Sequence, residues 1–175
     1  PALAGKFAPF VYPPAYGLFL APLGFFNPNQ ARIIFVVFHV LCFLAAAAML
    51  QKLAPKKNVC EPKYLDLLCI LLLFAPLTAG LFGCQNSAFS LLLLSVILFL
   101  VPRNESRSDF FAGLACGLWF FKPQYPALLL FGMICARRWR FVGGAAAGGI
   151  LIYAASAAQA GWNWPLIWAA TVKEV

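Results

Sequence analysis

Long apolar runs separated by short basic loops dominate this sequence. Residues 33–50 form one such run of 18 residues, close to the roughly 20 residues that an α-helix needs to cross a bilayer. Of the 175 residues, 63% are hydrophobic and only 10% are charged, whereas an average soluble domain has about 25% charged residues. A bilayer solvates apolar side chains all around a helix, which water does not. The sequence therefore predicts an all-α, polytopic integral membrane protein.

The apolar runs form about six segments within a single transmembrane domain, residues 1–175. Residues 7–26 contain four prolines, so we expect a short or broken helix there. The chain begins at Pro1 without a methionine and stops at Val175 without an evident ending. We expect it to be an internal piece of a longer protein whose N- and C-terminal parts are missing. The other segments are 33–50, 67–83, 88–102, the pair 110–121 and 127–136, and 141–158.

The basic residues predict the orientation in the membrane. Loops 51–63, 103–109 and 137–140 carry nine of the thirteen lysines and arginines, and by the positive-inside rule they face the cytoplasm. The net charge of +8 is thereby explained by topology in a plasma (inner) membrane, and no nucleic-acid partner is expected. The opposite side receives four short turns rich in amides, proline, glycine and aromatic residues, with the sequences NPNQ, GCQNS, KPQYP and GWNWP.

The cysteines and glycines favour structural roles. Six cysteines are scattered singly and His39 is the one histidine in the sequence, so ligand spacing for a metal is absent and no cofactor is expected. Two small-residue pairs with GxxxG spacing predict close helix–helix packing in lipid. These pairs are Gly113 with Gly117, and Gly144 with Gly148.

Lys122 lies between two apolar runs that are each too short to cross a bilayer alone. Residues 110–121 would rise only about 18 Å through a hydrocarbon core about 30 Å thick. Pro123 disfavours helix at Lys122, and Pro126 suits the first turn of a new helix. A lysine beside a helix N-terminus makes an anion site. The alternative is that Lys122 extends to the headgroups as an interfacial anchor.

The ordered motifs resemble those of glycosyltransferase family 87. They are FVYPPAYGLFLAPLGF, then GCQNSAFSLLLLSVILFL, then DFFAGLACGLWFFKPQYPALLLFGMICARRWR. The resemblance implies a GT-C-like transmembrane core that transfers a hexose, often mannose, from a polyprenyl-phosphate sugar to a glycan or lipid acceptor on the non-cytoplasmic face. It also implies that Lys122 holds the donor phosphate. Substrate-binding roles are implied for Gln124, Gln85, Asn86, Tyr12 and Tyr16.

Two features depart from the family pattern. Cys84 separates Gly83 from Gln85 in a turn that the family usually writes as G-Q. The general base that the resemblance implies is not assigned, since four of the five acidic residues lie in or beside the predicted cytoplasmic loops. We expect the base in a segment upstream of Tyr12. The five acids are Glu61, Asp66, Glu105, Asp109 and Glu174.

Two other classes of function fit the same features. A transporter or flippase-like carrier of a lipid-linked or anionic substrate would also have broken helices with a charge inside the membrane. A non-catalytic membrane scaffold would use Lys122 only as an anchor.

Overall fold

The computed structural model describes residues 12–53, 63–73, 86–103 and 105–173, and for 171–173 it describes the backbone alone. These residues form eight α-helices and no strand, which confirms the all-α membrane architecture. Two of the described helices, Pro28–Leu53 and Trp139–Ala160, are long and apolar enough to cross a membrane. The helices are α1 (Pro14–Leu20), α2 (Pro28–Leu53), α3 (Tyr64–Leu73), α4 (Ser87–Leu100), α5 (Ser106–Leu118), α6 (Gln124–Cys135), α7 (Trp139–Ala160) and α8 (Trp164–Lys173).

The predicted break in the first segment is confirmed for the part that the structure describes. Helix α1 has only seven residues and continues as a 3₁₀ turn over Ala21–Phe25. The next turn uses its amides locally, because Asn27 Oδ1 accepts a hydrogen bond from the Gln30 amide and Gln30 Oε1 accepts one from the Asn27 amide. This reciprocal capping box starts α2. The NPNQ turn is therefore a helix cap.

Helices α5 and α7 form the centre of the bundle, and their glycines allow very close contact. A Cβ at Gly113 would meet the Phe141 carbonyl, and a Cβ at Gly148 would meet the Leu114 carbonyl. Gly117, one turn beyond Gly113 along α5, lies against Ala145, which is one turn beyond Phe141 along α7. Because the contacts advance in the same direction along both helices, α5 and α7 are parallel. The predicted GxxxG packing is confirmed: each pair faces the other.

The chain breaks at Lys122, as the prolines predict. Helix α5 passes into a 3₁₀ turn at Trp119–Phe121, and α6 starts at Gln124 with the buried Pro126 in its first turn. Helix α5 begins earlier than the apolar run, so the rise from Ser106 to Phe121 is about 25 Å rather than the 18 Å expected. The first turn of α5 is polar, so Lys122 still falls short of a full crossing of a core about 30 Å thick.

Two of the basic loops meet at one end of the bundle. The Arg138 guanidinium lies 3.0 Å from Asp109 Oδ1 and donates to the Val101 carbonyl across 3.0 Å. The start of α5, the end of α4 and the start of α7 are thus together. Helix α6 returns the chain from Lys122 to this end, and α7 then runs back parallel to α5. The alternation of loop ends predicted for these segments agrees with this arrangement.

Candidate active site

The end of the bundle opposite Arg138 is organised around the residues that precede α1. Pro13 is extended and Pro14 occupies the first helical position, where the missing N–H costs nothing. The Ala15 amide donates to the buried Ser156 Oγ across 3.0 Å. One hydroxyl of α7 therefore satisfies a free amide at the N-terminus of α1 and fixes the tyrosines beside the central helices.

Tyr12 and Asn86 bring two distant turns together. The Tyr12 hydroxyl donates to Asn86 Oδ1 at 3.5 Å, and its ring lies 4.9 Å from the Tyr16 ring. Tyr16 stacks on Phe121 at 5.2 Å, and Phe121 stacks on Phe89 at 5.7 Å. This aromatic cluster holds the polar groups of the YPP segment and of Asn86 against the turn that carries Lys122.

The Lys122 side chain is half-buried. Among the described residues, no carboxylate lies within ion-pair distance of its ammonium. Its backbone lies between Phe121, which belongs to the aromatic cluster, and Pro123, which lines a cavity on the other side. The turn is closed by the Lys122 amide, which donates to the Trp119 carbonyl across 2.9 Å. The backbone turn that carries this cation is therefore fixed, and the cation has no protein counter-charge in the part of the chain described.

An apolar cavity of about 440 Å³ adjoins the Lys122 turn. Its wall is almost entirely hydrocarbon and aromatic, and Gly149 leaves space in it, because a Cβ there would meet nothing within 4 Å. The Tyr153 hydroxyl donates to the Trp162 carbonyl across 2.8 Å and so holds the GWNWP turn over one side. Lining residues from four parts of the chain are Pro13, Phe120, Pro123, Gly149, Tyr153, Trp164 and Trp168.

Three buried N–H groups around this turn lack a hydrogen-bond partner among the described residues. They are Asn86 Nδ2, Trp119 Nε1 and Trp164 Nε1. Buried polar groups in folded proteins are nearly always paired, so orphaned ones call for a ligand, ion or water. All three are donors, and they accompany an unpaired lysine. The arrangement suits a ligand that is rich in oxygen acceptors and negatively charged.

The family model for glycosyltransferase family 87 matches residues 10–175. The chain belongs to glycosyltransferase family 87. No curated protein matches it, and neither does any solved structure. It is therefore a membrane glycosyltransferase, and the polar turn beside the apolar cavity is its candidate active site.

The structure brings some of the predicted site residues of this family 87 glycosyltransferase together. Tyr12, Tyr16 and Asn86 meet, and Lys122 adjoins them in the chain through Phe121. Gln124 is the first residue of α6 and is exposed, with no side-chain hydrogen bond to the described residues. Gln85 lies outside the described residues, next to Asn86.

The sequence alone did not single out Trp119, Ser156 or the apolar cavity of this glycosyltransferase. Trp164 belongs to the GWNWP turn, yet it is only 9% exposed and lines the cavity. One sequence feature could have indicated this contact: Ser156 is a polar residue within the alanine-rich stretch AASAA of α7. A hydroxyl there is expected to bond a backbone group, and here that group belongs to another helix.

The described acids of this family 87 member lie away from the candidate site. Asp109 pairs with Arg138, Glu105 accepts a hydrogen bond from Ser108, and Asp66 accepts one from the Lys63 amide. None of these three contacts the tyrosines, Asn86 or the apolar cavity. Glu61 and Glu174 lie outside the described residues. Within the part of the chain described, the candidate site therefore contains no carboxylate base.

Proposed function

We propose that this glycosyltransferase transfers a hexose, mannose, from a polyprenyl-phosphate sugar to a glycan or lipid acceptor on the non-cytoplasmic face of the membrane. One observation carries the proposal. The unpaired Trp164 Nε1 belongs to the wall of an apolar cavity, and the turn that carries Lys122 adjoins that cavity at Pro123, with no counter-charge for the lysine among the described residues. An amphiphile with an anionic head and a hydrocarbon tail fits both halves of this site.

Lys122 is proposed to hold the donor phosphate. An ionisable residue between membrane helices is costly and is retained where it acts on a ligand or ion. As the bond between the sugar and the phosphate breaks, negative charge accumulates on the leaving phosphate. A fixed ammonium in an environment of low dielectric stabilises that charge more in the transition state than in the ground state. Lys122 is thus assigned to leaving-group stabilisation.

The unpaired donors are proposed to bind the oxygens of the phosphate and the sugar. Trp164 Nε1 belongs to a residue of the cavity wall, and Asn86 Nδ2 belongs to the polar cluster with Tyr12. Gln124, Gln85 and Tyr16 are assigned to the same substrate on the basis of the family resemblance. A site whose N–H donors each pair with one sugar hydroxyl discriminates between sugars, because a sugar that lacks that hydroxyl leaves a buried donor unpaired.

The apolar cavity is proposed to hold the first isoprene units of the donor. Its volume of about 440 Å³ lies within the range of small-molecule sites. The cavity wall is almost entirely apolar and therefore suits hydrocarbon, and the Lys122 turn lies at one edge for the phosphate. The acceptor hydroxyl still needs a base within hydrogen-bond reach, and we expect it from a carboxylate upstream of Tyr12.

The test is a comparison of donors with the protein in membranes. Labelled mannose is supplied either as polyprenyl-phosphate mannose or as nucleotide-activated mannose, and transfer to endogenous acceptors is counted. The proposal expects transfer only from the lipid-linked donor. Transfer from the nucleotide donor alone would contradict it. Movement of intact polyprenyl-phosphate sugar across vesicles without transfer would support the carrier function in its place.

A further inference from the structure

A second pocket, here called the arginine pocket, lies at the opposite end of the bundle from Lys122. It has a volume of about 490 Å³ and lies between the first turns of α5 and α7. Its position beside the Arg138–Asp109 ion pair separates it from the candidate active site by the length of the central helices. It is lined by Ser106, Arg107, Phe110, Phe111, Arg140 and Gly143.

The two arginines of this pocket occupy matching and electrostatically unfavourable places. Arg107 is the second residue of α5 and Arg140 is the second residue of α7. The N-terminus of a helix carries a partial positive charge that favours anions and disfavours cations. Because α5 and α7 are parallel and in close contact, both positive ends lie at the same place. The pocket therefore collects two guanidinium groups and two positive helix ends.

The nearby carboxylates compensate this positive potential only in part. Loops 103–109 and 137–140 contain five arginines and two carboxylates. Asp109 pairs with Arg138, and Glu105 accepts from Ser108 Oγ across 3.3 Å. Arg103 lies over the Phe99 ring, 4.4 Å from its centroid. Within the described residues, neither Arg107 nor Arg140 has an ion pair.

Two phenylalanines supply an apolar part of the pocket wall. Phe110 and Phe111 are 39% and 55% exposed, and both line the pocket. Free phosphate would use only the arginine half of this space. A phospholipid would place its phosphate against the arginines and its acyl chains along the phenylalanines.

We propose that the arginine pocket binds the phosphate headgroup of an anionic phospholipid and so ties the parallel helices α5 and α7 to one leaflet. Basic pockets between membrane helices recognise acidic headgroups in this way. The bound phosphate neutralises the two guanidinium groups and accepts hydrogen bonds from the free amides of both helix ends. The site is independent of the donor site and of its assignment to polyprenyl phosphate.

The test measures retained lipid by native mass spectrometry of the chain, titrated with phosphatidylglycerol or phosphatidylcholine in neutral detergent. We expect saturable binding of phosphatidylglycerol and much weaker binding of phosphatidylcholine. Arg107→Gln and Arg140→Gln should each weaken phosphatidylglycerol binding about fivefold. Gly143→Leu should weaken it without changing the charge, because a Cβ at Gly143 meets nothing within 4 Å and the side chain fills the pocket.

Arg137→Gln is the matched control, since Arg137 lies in the same loop but does not line the pocket. Equal weakening by Arg137→Gln would overturn the proposal, because binding would then follow the charge of the whole loop. Equal retention of both lipids would overturn it as well. A further arm adds inorganic phosphate as competitor. Displacement at the same concentration as phosphatidylglycerol itself would show a free-phosphate site and refute a lipid site.

Discussion

Tyr12 donates a hydrogen bond to Asn86 Oδ1 across 3.5 Å and thereby joins two turns that lie 74 residues apart. The bond brings the YPP segment and Asn86 to one end of the bundle. The Lys122 turn completes the group through the stack of Tyr16 on Phe121. Three turns that are unrelated in sequence thus form one candidate site.

Tyr12→Phe tests the polar half of this site. The variant keeps the ring contact with Tyr16 and removes the hydroxyl, so we expect sugar transfer to fall about tenfold with little change in melting temperature. Tyr64→Phe is the control, because it removes a hydrogen bond of 3.1 Å to the Leu44 carbonyl outside the site. Equal loss of transfer in both variants would assign the effect to stability.

Gly149→Leu tests the apolar half. A Cβ at Gly149 meets nothing within 4 Å and points into space bounded by the cavity wall. The leucine should occupy the volume assigned to the isoprene chain, so we expect the KM for the polyprenyl donor to rise about tenfold or more. Gly132→Leu is the control, since it is exposed on α6 and equally unhindered. An unchanged KM in Gly149→Leu would place the donor tail elsewhere.

Gly117→Ala tests the contact between the two central helices. The added Cβ would collide with the Ala145 carbonyl, a backbone atom that cannot turn away, so α5 and α7 must separate. We expect a loss of about 1–3 kcal/mol in the free energy of unfolding. Gly132→Ala, with open space around it, should be neutral or slightly stabilising. The measurement is thermal or denaturant unfolding in detergent, and equal stability of the two variants would refute the close contact.

Single cysteines test the proposed orientation. Gln124 and Arg107 are both exposed. Arg107 lies in the first turn of α5, and Gln124 begins α6, just after the 3₁₀ turn at the other end of α5. In a background without the native cysteines, Gln124→Cys should react with an impermeant maleimide added outside intact cells. Arg107→Cys should react only after the membrane is opened. The reverse pattern would place the donor site on the cytoplasmic face.

Much of the architecture could be predicted because each feature depends on a local rule. The break at Lys122 follows from Pro123 and Pro126, and the contact of α5 with α7 follows from the spacing of their glycines. The first turn of α5 was not predicted, because residues 106–109 are polar and precede the apolar run on which the segment was based. Helix α8 was not expected as a separate element, since only ten residues follow the GWNWP turn.

The composition of the site depended on contacts between distant residues, which no local pattern contains. The NPNQ and GCQNS turns have similar amides, yet Asn27 and Gln30 cap a helix while Asn86 meets Tyr12. Likewise, Trp162 is 74% exposed and Trp164 is 9% exposed, although they are two residues apart. Only the packing of α8 against α7 determines which indole lines the cavity.

The most direct test of the account is sugar transfer from polyprenyl-phosphate mannose by membranes that contain equal amounts of the wild type, Lys122→Gln or Lys52→Gln. Lys52 is an exposed lysine near the end of α2 and controls for the loss of one charge. If Lys122 stabilises the leaving phosphate, Lys122→Gln should lower transfer about 100-fold or more, while Lys52→Gln transfers at the wild-type rate. Transfer by Lys122→Gln at the wild-type rate would contradict the account and leave Lys122 as a membrane anchor.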